Sequence, residues 1–539
     1  MKKLILLVCA LGMAVSSWGA YSFMTDSIYY HITSSSAKTV EVVNNDTTGC
    51  YTKTSYTLPS SVTNSSTGIT YTVTAIGASA FKSCSNITSI SIPSTITSIR
   101  KNAFYGSRVT SFTIPASVDS IYTLAFNYCS RLASMNIPSS VTYIGEGAFR
   151  YCGKLKGITT DNVNANYTSV DSVLFTKSTK TLICYPAGKP ETSYTVPSAV
   201  DSIYPSAFDG AAKLTAINLS SSVTTVGSNA FFGCGLKSIA FPASVKSIGA
   251  TALYACDYLA SITVDKANTK YAAVDSVLFS KDLKTLICYA PMKPETKYAI
   301  PSSVDSITNY AFVGCFNLTS ITIPNNVTTL GYYVFNGCLK LTSISIPSSI
   351  SSIPDGTFSS CSVLKTVDLP NSITSIGRGA FDNCDSLTSI TLPASITSID
   401  AGAFFSCSAL TDIYAYPTTP VNLTYSYNVF YGVDTTKCTL HVPSGSLDAY
   451  KAADVWKGFK LAGDLSAVTN ATASAVKVTV RNSQAVITGT EAGTALSVYN
   501  LQGTAIYTGK TSGETESITL PQRGVYIVRV GSRSVKVVY

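Results

Sequence analysis

Histidine is nearly absent: His31 and His441, one near each end, are the only two in 539 residues. A Ser-His-Asp triad or a histidine-based metal centre therefore has almost no material to work with. Charge is sparse as well, at 12% of residues, and the acidic ones are scattered. The formal charge of +9 becomes +7 once Lys2 and Lys3 leave with the leader described below. No long basic run occurs, which argues against a dedicated nucleic-acid binder, since such proteins gather Lys and Arg on one face. Beyond the first twenty residues no stretch approaches the ~20 apolar residues of a membrane span. Those first residues, 1–20, carry Lys2, Lys3, the apolar run LILLVCALGMAV and small residues before a cut near Gly19 or Ala20. They read as a secretory signal, so the mature chain is expected to be exported.

What the chain has in abundance is repetition. SLTSITLPASITSIDAGAFFSC, from Ser386 to Cys407, recurs through most of the sequence, and Pro301, Pro324, Pro347, Pro370 and Pro393 follow one another at intervals of 23 residues. A fixed period of this length is the signature of a solenoid, in which each turn buries its apolar face only against its neighbours. Marker residues Phe81, Phe104, Phe126, Phe149, Phe208, Phe231, Leu253, Phe312, Phe335, Phe358, Phe381 and Phe404 predict a mainly β array of 12–14 turns over residues 59–411. Within a turn, L-T-S-I-x-I-P predicts a short strand and S-V/I-T-S-I-G a second extended piece. Gly145, Gly249 and Gly377 are expected to supply the bend after it, and A-F-x-x-C a short helical turn with its Phe inward.

Residues 21–58 alternate apolar and polar with a break at NNDTTG, and predict a β cap over the first turn. Two 59-residue intervals, Pro138 to Pro197 and Pro242 to Pro301, break the period. Their contents match each other 104 residues apart, so a larger module was duplicated, with hairpin inserts near 160–195 and 264–299. Residues 412–462 predict a closing cap with an amphipathic helix capped by Ser444 or Ser446, facing Tyr450, Val455, Trp456 and Phe459 inward. A linker over 463–475 and a separate β-sandwich over 476–539 complete the chain.

The repeat C-x-x-L-T-S-I-x-I-P-x-S-V-T-S-I-G-x-x-A-F, from about Pro59 to Leu410, resembles the 23-residue leucine-rich repeat of BspA-like bacterial surface proteins. Cys precedes the strand here, where Asn or Cys usually follows it. VYNLQG, LPQRGVYIVRV and KVVY in the last domain resemble the carboxy-terminal sorting domains of Bacteroidetes proteins exported by type IX secretion. The resemblance implies a non-enzymatic, outer-membrane-associated or secreted protein binding host matrix proteins or other cells, with a surface carbohydrate-binding protein as the alternative. It implies no cofactor and transfers no ligand, because such repeats share a scaffold and not a site. A monomer is expected.

Ten cysteines sit three residues after a marker: Cys84, Cys129, Cys152, Cys234, Cys256, Cys315, Cys338, Cys361, Cys384 and Cys407. Stacking at ~4.8 Å brings neighbours within disulfide range, so disulfide and metal readings stand beside a reduced ladder. Ser107 and Ala211 in the same slot favour the ladder, a row of small buried side chains. Asp-Ser pairs at Asp119, Asp171, Asp201, Asp275 and Asp305 read as repeat-equivalent turns. The strand residues expected to face outward, Ser91, Thr113, Asn136, Asn218, Thr322, Ser345, Asp368 and Thr391, form a hydroxyl and amide face. One patch differs: Tyr105, Arg108, Tyr128, Arg131, Arg150 and Tyr151 recur in three consecutive turns, and Tyr and Arg are enriched at interface hot spots. It reads either as a binding patch or as ordinary surface.

Overall fold

The computed structural model describes residues 21–44, 51–424, 426–465, 477–481, 484–488, 493–500, 504–513, 515–521, 525–530 and 533–538. The predicted signal and most of the NNDTTG break lie outside these residues, as does the linker after Leu465. Two compact units divide between Leu465 and Ser466.

The first unit is a solenoid built from two parallel strand rows. In one, Ser343–Ser345 pairs with Thr366–Asp368, and Ser389–Leu392 with Asp412–Ala415. In the other, Ser352–Ile353, Ser375–Ile376 and Ser398–Ile399 lie side by side. The central Ile, Val and Leu of both rows are buried, and alternation sends their neighbours outward. Hydroxyls join the turns. The Ser372 hydroxyl donates to Ile350 O at 2.6 Å and Ser395 to Ile373 O at 2.6 Å, and Ser140, Ser222, Ser244 and Ser349 repeat the contact. The Ser of P-x-S-V/I is thus a scaffold element, which explains a chain so rich in hydroxyls and so poor in charge.

The A-F-x-x-C segment is not a helical turn. Phe358 N bonds to Ala380 O at 2.7 Å and Phe381 N to Ala403 O at 2.8 Å, a ladder between turns. The residues two before and two after each marker sit in the left-handed region: Gly379 and Asn383 around Phe381, Gly402 and Ser406 around Phe404, Asn102 and Gly106 around Phe104. This alternation lets the short segment bond sideways while its Phe points inward. The rings stack, with Phe358 5.4 Å from Phe381 and Phe381 5.2 Å from Phe404. Gly145, Gly249 and Gly377 do not supply a left-handed bend. A Cβ on Gly145 would overlap the Thr123 backbone of the preceding turn, so these glycines serve close approach.

Each insert is a hairpin and something more. Tyr167–Val170, Val173–Thr176 and Thr181–Cys184 run antiparallel in succession. Thr181–Cys184 then pairs in parallel with Ser202–Ile203, and Ser193–Thr195 with Ala216–Asn218. Tyr185 takes the marker slot, stacked 5.3 Å from Phe208, and Tyr289 does the same 5.4 Å from Phe312. Each insert therefore adds a turn that a count of Phe markers misses. The Asp-Ser pairs separate into two groups. Asp171-Ser172 and Asp275-Ser276 form left-handed two-residue hairpin turns, with φ of 49°, 64°, 46° and 59°. Asp119, Asp201 and Asp305 instead lead into strands, and Asp201 O accepts from Thr224 N.

The first end is covered by Phe23–Thr25, Ile28–Ser34 and Thr39–Val43, the last pairing in parallel with Thr70–Ile76. At the other end Thr439–Pro443 and Lys460–Leu465 extend the strand row, so residues 463–465 belong to a strand rather than a linker. The helix is short, Leu447–Ala452, and the Ser446 side chain makes no capping bond. Tyr450, Trp456 and Phe459 are buried as expected, with Trp456 Nε1 donating to Val421 O at 2.8 Å, but Val455 is exposed. In the second unit, Lys477–Arg481, Gln484–Thr488 and Thr515–Thr519 form one sheet. Ala495–Asn500, Ala505–Lys510, Val525–Val530 and Arg533–Val538 form another, and both contribute to one apolar core.

Candidate functional site

The six patch residues are not equivalent. Tyr105, Tyr128 and Tyr151 form a row, with centroids 5.7 Å and then 4.5 Å apart, the second pair nearly parallel. Arg108 and Arg131 are exposed, with no ion pair among the described residues. Arg150 is turned inward. Its Nε lies 2.5 Å from Asp209, whose side chain is fully buried, and its guanidinium lies 4.6 Å from the Phe232 ring centre and 5.4 Å from that of Tyr151. Burial, partly offset by Arg150, pushes the Asp209 carboxyl up to about 7.

The row does not stop at Tyr151. It continues through Phe232 at 5.8 Å, Tyr254 at 4.8 Å, Tyr310 at 4.6 Å and Tyr333 at 5.5 Å. These four extend the surface past both inserts. Gly210 and Gly233 clear the space that Tyr151 fills, since a Cβ on either would crowd its ring. Burial raises the hydroxyl pKa of Tyr128, Tyr151, Tyr254 and Tyr310, so these four hydroxyls stay protonated at physiological pH.

Four members of the row occupy the left-handed slots that every turn provides. Tyr128 (φ 58°) and Tyr151 (φ 55°) hold the slot two after the marker, and Tyr310 (φ 61°) and Tyr333 (φ 55°) the slot two before it. Elsewhere Gly, Asn or Ser often fills these left-handed positions. A bulky residue there costs roughly 1 kcal/mol or more, and Tyr128 is still 43% exposed. Burial does not offset that cost at Tyr128.

The outward strand residues named above are all exposed, and those between Thr322 and Asp368 floor a shallow cavity of about 700 Å³ with Asn325. In eight of the ladder cysteines the thiol donates to the marker carbonyl of the preceding turn at 3.0 to 3.2 Å, as Cys384 does to Phe358 O and Cys407 to Phe381 O. Burial pushes the Cys407 thiol up to about 12 and raises Cys361 and Cys384, so these thiols stay protonated and able to donate. Cys384→Ala is expected to cost about 1–2 kcal/mol in urea unfolding, and Cys384→Ser, which keeps a donor, less. Equal costs would show that volume and not the bond matters. Cys84 leaves the reduced ladder: it is disulfide-bonded, and because the other described cysteines are free, its partner lies outside the described residues.

His441 lies between two carboxylates, Nδ1 2.8 Å from Asp464 and Nε2 3.2 Å from Asp412, with its ring 4.5 Å from that of Tyr414. Each ring nitrogen therefore faces a carboxylate. Among the described residues no helix is long and apolar enough to cross a membrane.

Comparison with known proteins places these features in context. A search of the curated proteins found no match. A leucine rich cell surface protein from Faecalibacterium prausnitzii is 28% identical over 73% of this chain and 94% of its own, with a TM-score of 0.45. A leucine-rich repeat protein from Eubacterium ventriosum is 25% identical over 72% and 94%, at 0.37. The pneumococcal vaccine antigen PcpA is 20% identical over 82% and 97%, at 0.38. The family model of the BspA type leucine rich repeat region matches in six copies over residues 52–181, 187–288 and 288–411. With its 23-residue turns, paired strand rows and inward Phe stack matched over more than half its length, the chain belongs to the BspA-type leucine-rich repeat family.

Proposed function

We propose that the chain is a non-enzymatic, exported binding protein that engages host or microbial surface proteins through the aromatic row, with Arg108 and Arg131 at its edge. The observation that carries this reading is the left-handed backbone at Tyr128, Tyr151, Tyr310 and Tyr333. The ladder sets that backbone in every turn, but a tyrosine in place of Gly or Asn there is a cost that folding does not require, and such cost concentrates at binding surfaces. The family supports a surface role. The terminal unit, with seven strands among its described residues, is proposed as the sorting or attachment domain that delivers the solenoid.

The experiment exploits the strain. Tyr128→Gly with Tyr333→Gly should leave the unfolding midpoint unchanged or raised, while binding to a panel of immobilised matrix proteins falls at least tenfold. Arg108→Glu with Arg131→Glu should lower binding and its on-rate. Binding that survives both pairs would remove the row as the site. A glycan array in parallel decides the carbohydrate alternative, for which half-exposed tyrosine faces are the supporting feature. Deleting residues 476–539 should strand the protein inside the envelope; unchanged export would end the sorting reading.

A further inference from the structure

The two copies of the duplicated module differ at the seam where the insert enters. In the first copy, Phe149 stacks 5.7 Å from Phe126 and Arg150 reaches Asp209 across the seam where the insert enters, leaving a void of only about 10 Å³. In the second copy, 104 residues on, Leu253 replaces Phe149, Tyr254 replaces Arg150, and Val313 replaces Asp209. The seam there opens into a cavity of about 520 Å³. The smaller Leu, the loss of the arginine–aspartate tie and the replacement of Tyr204 by Thr308 each remove volume from this seam. This volume lies in the range of small-molecule sites.

The lining decides what fits. No charged side chain contributes to it, and its walls include Ile248, Leu253, Leu278, Ile287, Ile307 and Val313. Several of the polar groups that would grip a sugar are engaged already, while the buried Tyr289 hydroxyl on the wall has no hydrogen-bond partner among the described residues and is left to meet a single polar group. The Thr308 hydroxyl donates to Ile287 O at 3.0 Å, and Ser280 to Asp282 at 2.6 Å. Thr251 donates to Asn229 at 2.7 Å, while the Tyr271 oxygen accepts from Ile248 N at 2.9 Å and Asn309 Oδ1 from Tyr332 N at 2.8 Å. Tyr254 and Tyr310 complete the wall, their rings 4.6 Å apart and edge to face, each offering an aromatic surface.

We propose that this cavity binds a neutral, predominantly apolar small molecule of the indole or phenol class. The site is distinct from macromolecular binding by the aromatic row, although Tyr254 and Tyr310 belong to both, so occupancy is expected to be felt there.

The test is calorimetry on the mature full-length chain with indole, and separately with maltotriose. Indole should bind saturably at one site. Leu253→Phe, which restores the residue of the first copy, should weaken binding at least tenfold with an unchanged thermal melt. Val313→Phe fills the cavity from the opposite wall and serves as the deciding variant should Leu253→Phe misfold. Absence of saturable indole binding, binding unchanged in the folded variants, or maltotriose binding that Leu253→Phe abolishes while indole does not bind, would each overturn the proposal.

Discussion

Phe358→Ala should destabilise the array by about 3–5 kcal/mol, among the largest losses open to a single apolar side chain. The ring is fully buried and lies 5.5 Å from Phe335 on one side and 5.4 Å from Phe381 on the other, with interplanar angles of 11° and 15°. Its removal leaves a void flanked by rings already held in stacking register by ladder bonds such as Phe358 N to Ala380 O, so the turns cannot collapse to fill it. In a solenoid the consequence is local. Each turn is stabilised by its two neighbours, so amide exchange should accelerate in the turns of Phe335 and Phe381 before it changes near Phe81. Urea unfolding followed by hydrogen exchange reads both effects. A loss below about 1 kcal/mol would mean that the strand rows, and not the ring stack, brace the array.

What the sequence made legible was whatever repeats at constant spacing. Ile376 and Ile399, or Phe381 and Phe404, recur at 23 residues, and burial follows. The two extra turns were hidden because Tyr185 and Tyr289 follow Cys184 and Cys288 rather than the usual Ala, and lie in segments whose period is already broken. The left-handed slots flanking each marker were hidden for a different reason. Gly or Asn fills about half of them and Ser, Thr, Leu, Ala and Tyr the rest, because the sideways ladder bonds hold that backbone even for residues that do not favour it. Three members of the aromatic row, Tyr105, Tyr128 and Tyr151, were visible because their turns are consecutive. Phe232, Tyr254, Tyr310 and Tyr333 were not, since the row crosses from positions after the marker to positions before it, and only the folded stack brings Phe232 to Tyr151. The fate of Arg150 depended on Asp209, which lies across an insert. The sequence placed Arg150 with Arg108 and Arg131, whereas its charge is directed into the protein.

That inward charge leads to the second large effect. Arg150→Met removes the cation that faces the buried Asp209 and leaves a carboxylate with little compensation, a change that costs about 3–5 kcal/mol when the charge must persist. The acid can escape part of this cost by protonating, so the penalty depends on pH. Burial already holds the Asp209 carboxyl up at about 7 with Arg150 beside it, and losing the guanidinium raises it further. For a carboxyl whose folded value lies above its unfolded one, the folded state binds more protons through the window between them. Stability therefore declines as pH rises from the ordinary carboxylate range toward 7 in the parent protein, and continues to decline to higher pH in Arg150→Met. The difference between the two proteins should accordingly be small at pH 5 and grow to about 2 kcal/mol by pH 8.5, read as urea midpoints. Arg150→Met with Asp209→Asn should recover most of the loss at pH 8.5 and erase its pH dependence. An Arg150→Met penalty equal at both pH values would show that Asp209 does not titrate in this window. Its cause would then lie in the packing of the guanidinium on Phe232 and Tyr151, the two rings at which the aromatic row passes from the first module to the second.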